Sequence, residues 1–198
     1  MSLETINFQL FDVLNAPASA SPADINIAIF MANDTLYILM LFLVLAWFLG
    51  SYHSKALALK AVLTAAVALL IGYVISLGYH HPRPFMLEMG NTLIKHAPTY
   101  SFPSNHMLIF SSIAFSYIFA QRMKLGLILF GIAIIVAWAR VYVGVHFPLD
   151  MFGAILVAVL TSVLMQYIWN QYKTPIMAFA LKIYQFIFAV LLQKGIIR

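Results

Sequence analysis

Apolar residues run in long blocks along this chain, without the alternation of a half-buried strand or the polar stripe of a soluble helix. The blocks cover about 27–50, 61–79, 107–120, 125–139 and 147–169. Between them stand short polar breaks, "SYHSK", "QRMK" and "RVYVGVH", and one long one, His80 to Asn105. Such blocks are expected to cross a membrane as helices, because a helix satisfies its own backbone N–H and C=O groups in lipid. The third and fourth blocks hold about 15 apolar residues each, or about 22 Å of helix. That is less than the ~30 Å hydrocarbon thickness, so polar residues at their ends are expected slightly below the membrane surface.

The two ends of the chain read differently. Within residues 1–24, Ile6, Phe8, Leu10, Phe11 and Leu14 are expected to form the apolar face of a short interfacial helix, followed by a loop, "NAPASASPAD". Asn33 and Asp34 interrupt the first block, and "NQYKTP" reads as a loop before a last segment, 176–193. Lys182 and Gln185 share a face near the middle of that segment. A lysine at a span centre is costly, so an amphipathic helix lying on the membrane is favoured, with a sixth span as the alternative. The expected fold is an all-α integral membrane protein: a bundle of five to six transmembrane helices with a short N-terminal interfacial helix, forming one domain over 1–198.

Composition supports this. Of the residues, 64% are hydrophobic and 9% charged, where a soluble domain carries about a quarter charged residues. Mean hydropathy is +0.96. The absence of cysteine excludes a disulfide framework. The net charge of +5 does not suggest a nucleic-acid partner, because the basic residues are dispersed at span ends. They are also sided. Lys55, Lys60, Arg122, Lys124 and Lys173 fall on one face, joined by Lys182, Lys194 and Arg198 if the last helix lies there. The other face holds only Arg83, Lys95 and Arg140, with all six acids: Glu4, Asp12, Asp24, Asp34, Glu88 and Asp150. The positive-inside rule makes the first face cytoplasmic. The first 50 residues contain no Lys or Arg, so they lack the basic start of a signal peptide and the first span is expected to be retained.

Three short patterns share the extracytoplasmic face: "HHPRPF" (80–85), "FPSNH" (102–106) and "RVYVGVHFPLD" (140–150). Singly, each has a plain reading. Pro82 and Pro84 end a helix, Ser104 caps one, the arginines snorkel to headgroups, and Asp150 sits in a first helical turn. Jointly they return to one surface. Two converging arginines make a cradle for phosphate oxygens, and a serine at a helix N-terminus adds donors. Two histidines can divide phosphoryl transfer, one attacking phosphorus and one protonating the leaving oxygen. Asp150, four residues after His146, can orient that ring. The arginines neutralise developing charge, so no metal and no cofactor are called for.

These patterns resemble the signature motifs of the type-2 phosphatidic acid phosphatase superfamily: Lys-x6-Arg-Pro, Pro-Ser-x-His and Ser-Arg-x5-His-x3-Asp. Arg83-Pro84 match the end of the first, Pro103 to His106 the second, and Arg140, His146 and Asp150 the third. The resemblance implies His146 as nucleophile, Asp150 as its orienter, His106 as general acid, and Arg83, Ser104 and Arg140 as phosphate ligands, with Asn105 beside them. Ser76 stands where the first motif has lysine, Ala139 replaces the serine before Arg140, and Asn105 takes a position where glycine or aspartate is usual. His81, His80 or Lys95 is expected to supply the missing cation. "HPRPFM", "SFPSNH", "NTLIKHA" and "KIYQFI" are similar to the bacitracin-resistance type of undecaprenyl-diphosphate phosphatase. That likeness implies removal of the terminal phosphate from an isoprenoid diphosphate lipid at the outer face of a bacterial cytoplasmic membrane. The alternatives are a sibling phosphatase or phosphotransferase acting on other lipid phosphates, a non-catalytic lipid-diphosphate binder or transporter, and a zinc site formed among histidines 80, 81, 96, 106 and 146.

Overall fold

The computed structural model describes residues 2–194; Arg198, counted above with the cytoplasmic cations, lies outside them. The described residues are helical with connecting turns. Helix α1 (Leu3–Leu14) is followed by α2 (Pro22–Ile29), a π-helical turn (Phe30–Asp34), α3 (Thr35–Phe48), α4 (Tyr52–Gly78), α5 (Asn105–Phe119), α6 (Met123–Tyr142), α7 (Pro148–Ile187) and α8 (Ala189–Gln193). Four helical stretches are long and apolar enough to cross a membrane: Pro22–Phe48, α4, α6 and α7. The fifth, α5, is shorter at 15 residues. The protein is thus an all-α, multi-pass membrane protein.

Helix α5 is the hub, packed against α4, α6 and α7. Its Met107, Leu108, Phe110, Ile113, Ala114 and Tyr117 are buried, and small residues face it: Ala61, Ala65 and Ala68 of α4, Ala133 and Ala137 of α6, Ala154 of α7. Between lipid-bathed helices the hydrophobic effect gives little net attraction, so close approach by small side chains supplies the packing. Gly72 of α4 is one such close approach, since a Cβ there would overlap Leu108 of α5. The outward faces carry large exposed apolar side chains, among them Ile38, Leu41, Leu70, Tyr73, Ile128, Leu156 and Leu160, as a lipid-facing surface should.

Several expectations need correction. "NQYKTP" is not a loop: α7 runs unbroken for 40 residues with Pro175 inside it, about 60 Å of helix. Trp169 clusters with Ala56, while Tyr184 further along receives Lys55 over its ring at 4.5 Å. Both contacts fall at the start of α4, so the later part of α7 packs beside that end of the bundle. Lys182 stays exposed. Lys55 and Lys60 are not loop cations but buried residues of α4; Lys60 donates to the Ser116 carbonyl at 3.2 Å and to the Gln166 side chain, tying α4 to α5 and α7. Helix α6 has 20 residues and is not short, because Met123 and Lys124 extend its start and Arg140 to Tyr142 its end. On α1, Ile6 and Leu10 are exposed, whereas Asn7 and Phe11 are buried; Phe11 and Phe8 pack on Phe147 at 5.1 and 5.2 Å between ring centroids. The loop after α1 ends at Ser21, whose side chain caps α2.

The long loop 79–104 is sewn to its neighbours by backbone polar groups that need partners once buried. Asn15 accepts from the Asn91 backbone N–H at 2.6 Å and donates to the Asn91 and Tyr142 carbonyls at 2.9 and 3.0 Å. Leu93 N–H donates to the Val143 carbonyl at 3.0 Å. Gly144 allows this seam, with φ +81° and a position where a Cβ would overlap the Asn91 carbonyl. Gly144→Ala is expected to cost about 1–3 kcal/mol in backbone strain alone, read as a melting temperature several degrees lower in detergent; an unchanged value would show that the seam yields freely.

Candidate active site

The three patterns converge at the bundle end formed by loop 79–104, the start of α5, the end of α6 and the start of α7. Asp150 occupies the first turn of α7 after Pro148. One of its oxygens, Oδ2, accepts the Phe147 backbone N–H at 2.8 Å, faces His146 Nδ1 at 3.1 Å and accepts the Ser101 hydroxyl. The contact that starts the helix therefore also aims the histidine. On the other side of the ring, Arg83 Nη1 approaches His146 Nε2 at 3.1 Å. A guanidinium only donates, so Nε2 must hold a lone pair and Nδ1 the proton. Asp150 accepting at Nδ1 and Arg83 donating at Nε2 select the same tautomer.

Arg83 is 4% exposed and almost fully engaged: Nε donates to the Thr99 carbonyl, Nη1 to the Val145 carbonyl, and Nη2 to the Thr99 hydroxyl and Tyr100 carbonyl, at 2.8–3.2 Å. Arg140 differs. It is 2% exposed, and only its Nη1 is held, by Asn33 Oδ1 at 3.2 Å and the Ala32 carbonyl at 3.4 Å. Its Nε and Nη2 are buried without a partner among the described residues. The π-helical turn supplies Asn33. Single π-helical turns frequently mark functional sites, and here the turn coincides with the polar interruption at Asn33 and Asp34.

Ser104 caps α5, accepting from Met107 N–H at 3.5 Å, with Asn105 exposed and His106 half-buried in the first turn. His106 lies within electrostatic reach of Arg140, His146, His96 and Arg83. Burial lowers the His146 pKa well below its ordinary value, and the Arg83 and Arg140 cations lower it further. Burial also lowers Arg83 to about 10, against the pull of Asp150, so it remains cationic at neutral pH.

The auxiliary candidates separate. His81 is buried beside Asp150, its Nδ1 3.8 Å from Asp150 Oδ1. His80 is exposed, its ring 4.3 Å from that of Tyr100. Lys95 is exposed, and Ser76 bonds its own helix at the Tyr73 carbonyl. The five outer histidines form no common ligand set: among the described residues no three metal-binding side chains converge. The site also contains residues that the motifs did not single out: Ser101, Thr99, Asn33 and His96, whose ring lies 6.4 Å from that of His146. Ser101 opens the quoted "SFPSNH", but only its hydrogen bond to Asp150 distinguishes it from Ser104.

Residues 57–174 match the family model described as the PAP2 superfamily, and the chain belongs to that superfamily. It is 32% identical to YbjG of Escherichia coli K12 over 196 residues, 99% of each chain. It is 29% identical to the undecaprenyl-diphosphatase BcrC of Bacillus subtilis, over 96% of this chain and 97% of that one. Its fold is similar to that of a solved transmembrane PAP2-type phosphatidylglycerolphosphate phosphatase from Bacillus subtilis, with a TM-score of 0.63 at 18% identity over 85% of this chain and 87% of the other. With this family and these relatives, the protein is a membrane lipid phosphatase.

Ser101→Ala removes a donor to the Asp150 carboxylate. A hydrogen bond to a charged group contributes about 1.5–3 kcal/mol, so phosphate release should fall about 10- to 100-fold in kcat/KM, with a melting temperature several degrees lower. Equal activity in the two proteins would show that Asp150 needs no help from Ser101.

Proposed function

We propose that the protein hydrolyses undecaprenyl diphosphate to undecaprenyl phosphate at the outer face of the cytoplasmic membrane, through a phosphohistidine on His146, and so recycles the lipid carrier for cell-wall synthesis. The observation that carries this is the clamping of His146 between Asp150 at Nδ1 and Arg83 at Nε2, which leaves one lone pair aimed at the cationic side of the site. The name and near full-length match of BcrC support the substrate. The same likeness ties the reaction to bacitracin resistance.

On binding, Arg83 Nη1 passes from Nε2 to a phosphate oxygen, and the unpartnered Nε and Nη2 of Arg140 take others. Ser104, Asn105 and the first N–H groups of α5 add donors. Nε2 attacks the terminal phosphorus, and the bond to the bridging oxygen breaks. That oxygen keeps the electron pair, takes a proton from His106 and leaves as undecaprenyl phosphate. Asp150 balances the charge that develops on the ring. Water then attacks phosphorus, gives a proton to His106 and releases inorganic phosphate, restoring His146. The two arginines carry the equatorial charge, so the chemistry calls on no metal.

Sidedness follows from charge. Arg122, Lys124 and Lys173 lie at the end of the bundle away from the site, which the positive-inside rule makes cytoplasmic. The same residues would serve a sibling reaction on phosphatidylglycerophosphate or phosphatidate, or transfer of phosphate to another lipid.

His146→Ala should abolish phosphate release from undecaprenyl diphosphate by purified protein in detergent. Near wild-type release would remove His146 as nucleophile. In a panel with farnesyl diphosphate, phosphatidate and phosphatidylglycerophosphate, a preference for either glycerolipid would overturn the substrate assignment.

The pH dependence tests the same group. A folded pKa below 6.5 keeps the ring neutral and nucleophilic above that lowered value. The acid limb of kcat/KM for the free enzyme should therefore lie below pH 6.5. A limb at or above 6.5 would mean that a group other than His146 controls it.

A further inference from the structure

At the end of the bundle opposite the catalytic site, a cavity of about 630 Å³ opens between α3, α4, α5 and α6. Phe42, Ala46, Leu57 and Leu125 form an apolar wall, while His53, Arg122 and Lys124 stand at its polar side. Arg122 Nε donates to His53 Nε2 at 3.2 Å, which leaves the outer guanidinium nitrogens and the other ring nitrogen directed elsewhere. Tyr117 also lines the cavity. It is 4% exposed, its ring is 5.9 Å from that of Phe42, and its hydroxyl makes no hydrogen bond among the described residues. The hydroxyl is therefore free to donate to a molecule in the cavity.

The charge around the cavity is one-sided. All six Asp and Glu side chains fall in segments at the catalytic end, and the ion pairs among the described residues involve only Asp150. Among the described residues, Arg122 and Lys124 thus have no carboxylate partner. Cations at a headgroup level, an adjoining apolar wall and a hydroxyl lining the same cavity match an amphiphile with an anionic head, ester oxygens below it and a hydrocarbon chain.

We propose that this cavity is a binding site for an anionic glycerophospholipid, separate from the catalytic centre. The phosphodiester rests on Arg122 and Lys124, Tyr117 donates to an ester carbonyl, and an acyl chain lies along Phe42, Ala46 and Leu57. This does not depend on which lipid phosphate the catalytic end hydrolyses.

Native mass spectrometry of the full chain in detergent tests it, with phosphatidylglycerol, phosphatidylcholine, undecaprenyl phosphate and inorganic phosphate as probes. One phosphatidylglycerol should remain bound, about tenfold more tightly than phosphatidylcholine, and equally in His146→Ala. Arg122→Gln combined with Lys124→Gln should lose that preference while still releasing phosphate from substrate. If the double variant does not fold, Tyr117→Phe carries the test, with an expected loss of a few-fold in retention. Equal retention of the two phospholipids, or a preference that survives in the variants, would overturn the proposal. Displacement of phosphatidylglycerol by inorganic phosphate alone would make it a free-anion site, and displacement by undecaprenyl phosphate alone a carrier-lipid site; either outcome overturns the assigned occupant.

Discussion

A guanidinium removed from water must find acceptors for its N–H groups, and Arg83 finds them in four residues of two different loops. Thr99 and Tyr100 lie on its own loop; Val145 and His146 lie on the α6–α7 link. Leaving such a charge unsatisfied would cost several kcal/mol, so the two loops are held in register as a condition of folding. The same contacts place His146 and choose its tautomer.

The other buried charges divide between structure and chemistry. Asp150 serves both, since a single oxygen accepts the Phe147 N–H, the Ser101 hydroxyl and the His146 ring. Arg140 keeps two buried donors unused. A protein that holds donors in reserve gives up stability for a preorganised anion site. That stability is recovered in the close packing of α5 against the alanine-rich faces of its neighbours.

The bundle is polarised along its length. The Asp and Glu side chains, five of the six histidines and most loop backbone collect at one end, and most lysines, with Arg122, at the other. Two of those lysines are absorbed by the fold: Lys60 reaches Gln166 and Ser116, and Lys55 reaches aromatic rings and the Trp47 carbonyl. Arg122 and Lys124 remain at the surface.

The sequence by itself determined the membrane class, a bundle of about five to six helices and the convergence of Arg83, Ser104, His106, Arg140, His146 and Asp150. Long apolar runs have few stable solutions in lipid, and the parity of crossings sends the three polar patterns to one end. The i,i+4 spacing of His146 and Asp150 was local, and so it was legible too. Proline and polar residues at 170–175 looked like a loop, because local propensity cannot register that packing across α3 and α4 holds the helix together there. Only the tertiary structure decided that Lys60 is buried, that Asn33 holds Arg140 from 107 positions away, and that Ser101 backs Asp150 while Lys95 points out. Each of these rests on a distance between segments far apart in the chain, and no periodicity or spacing along one strand of sequence encodes such a distance.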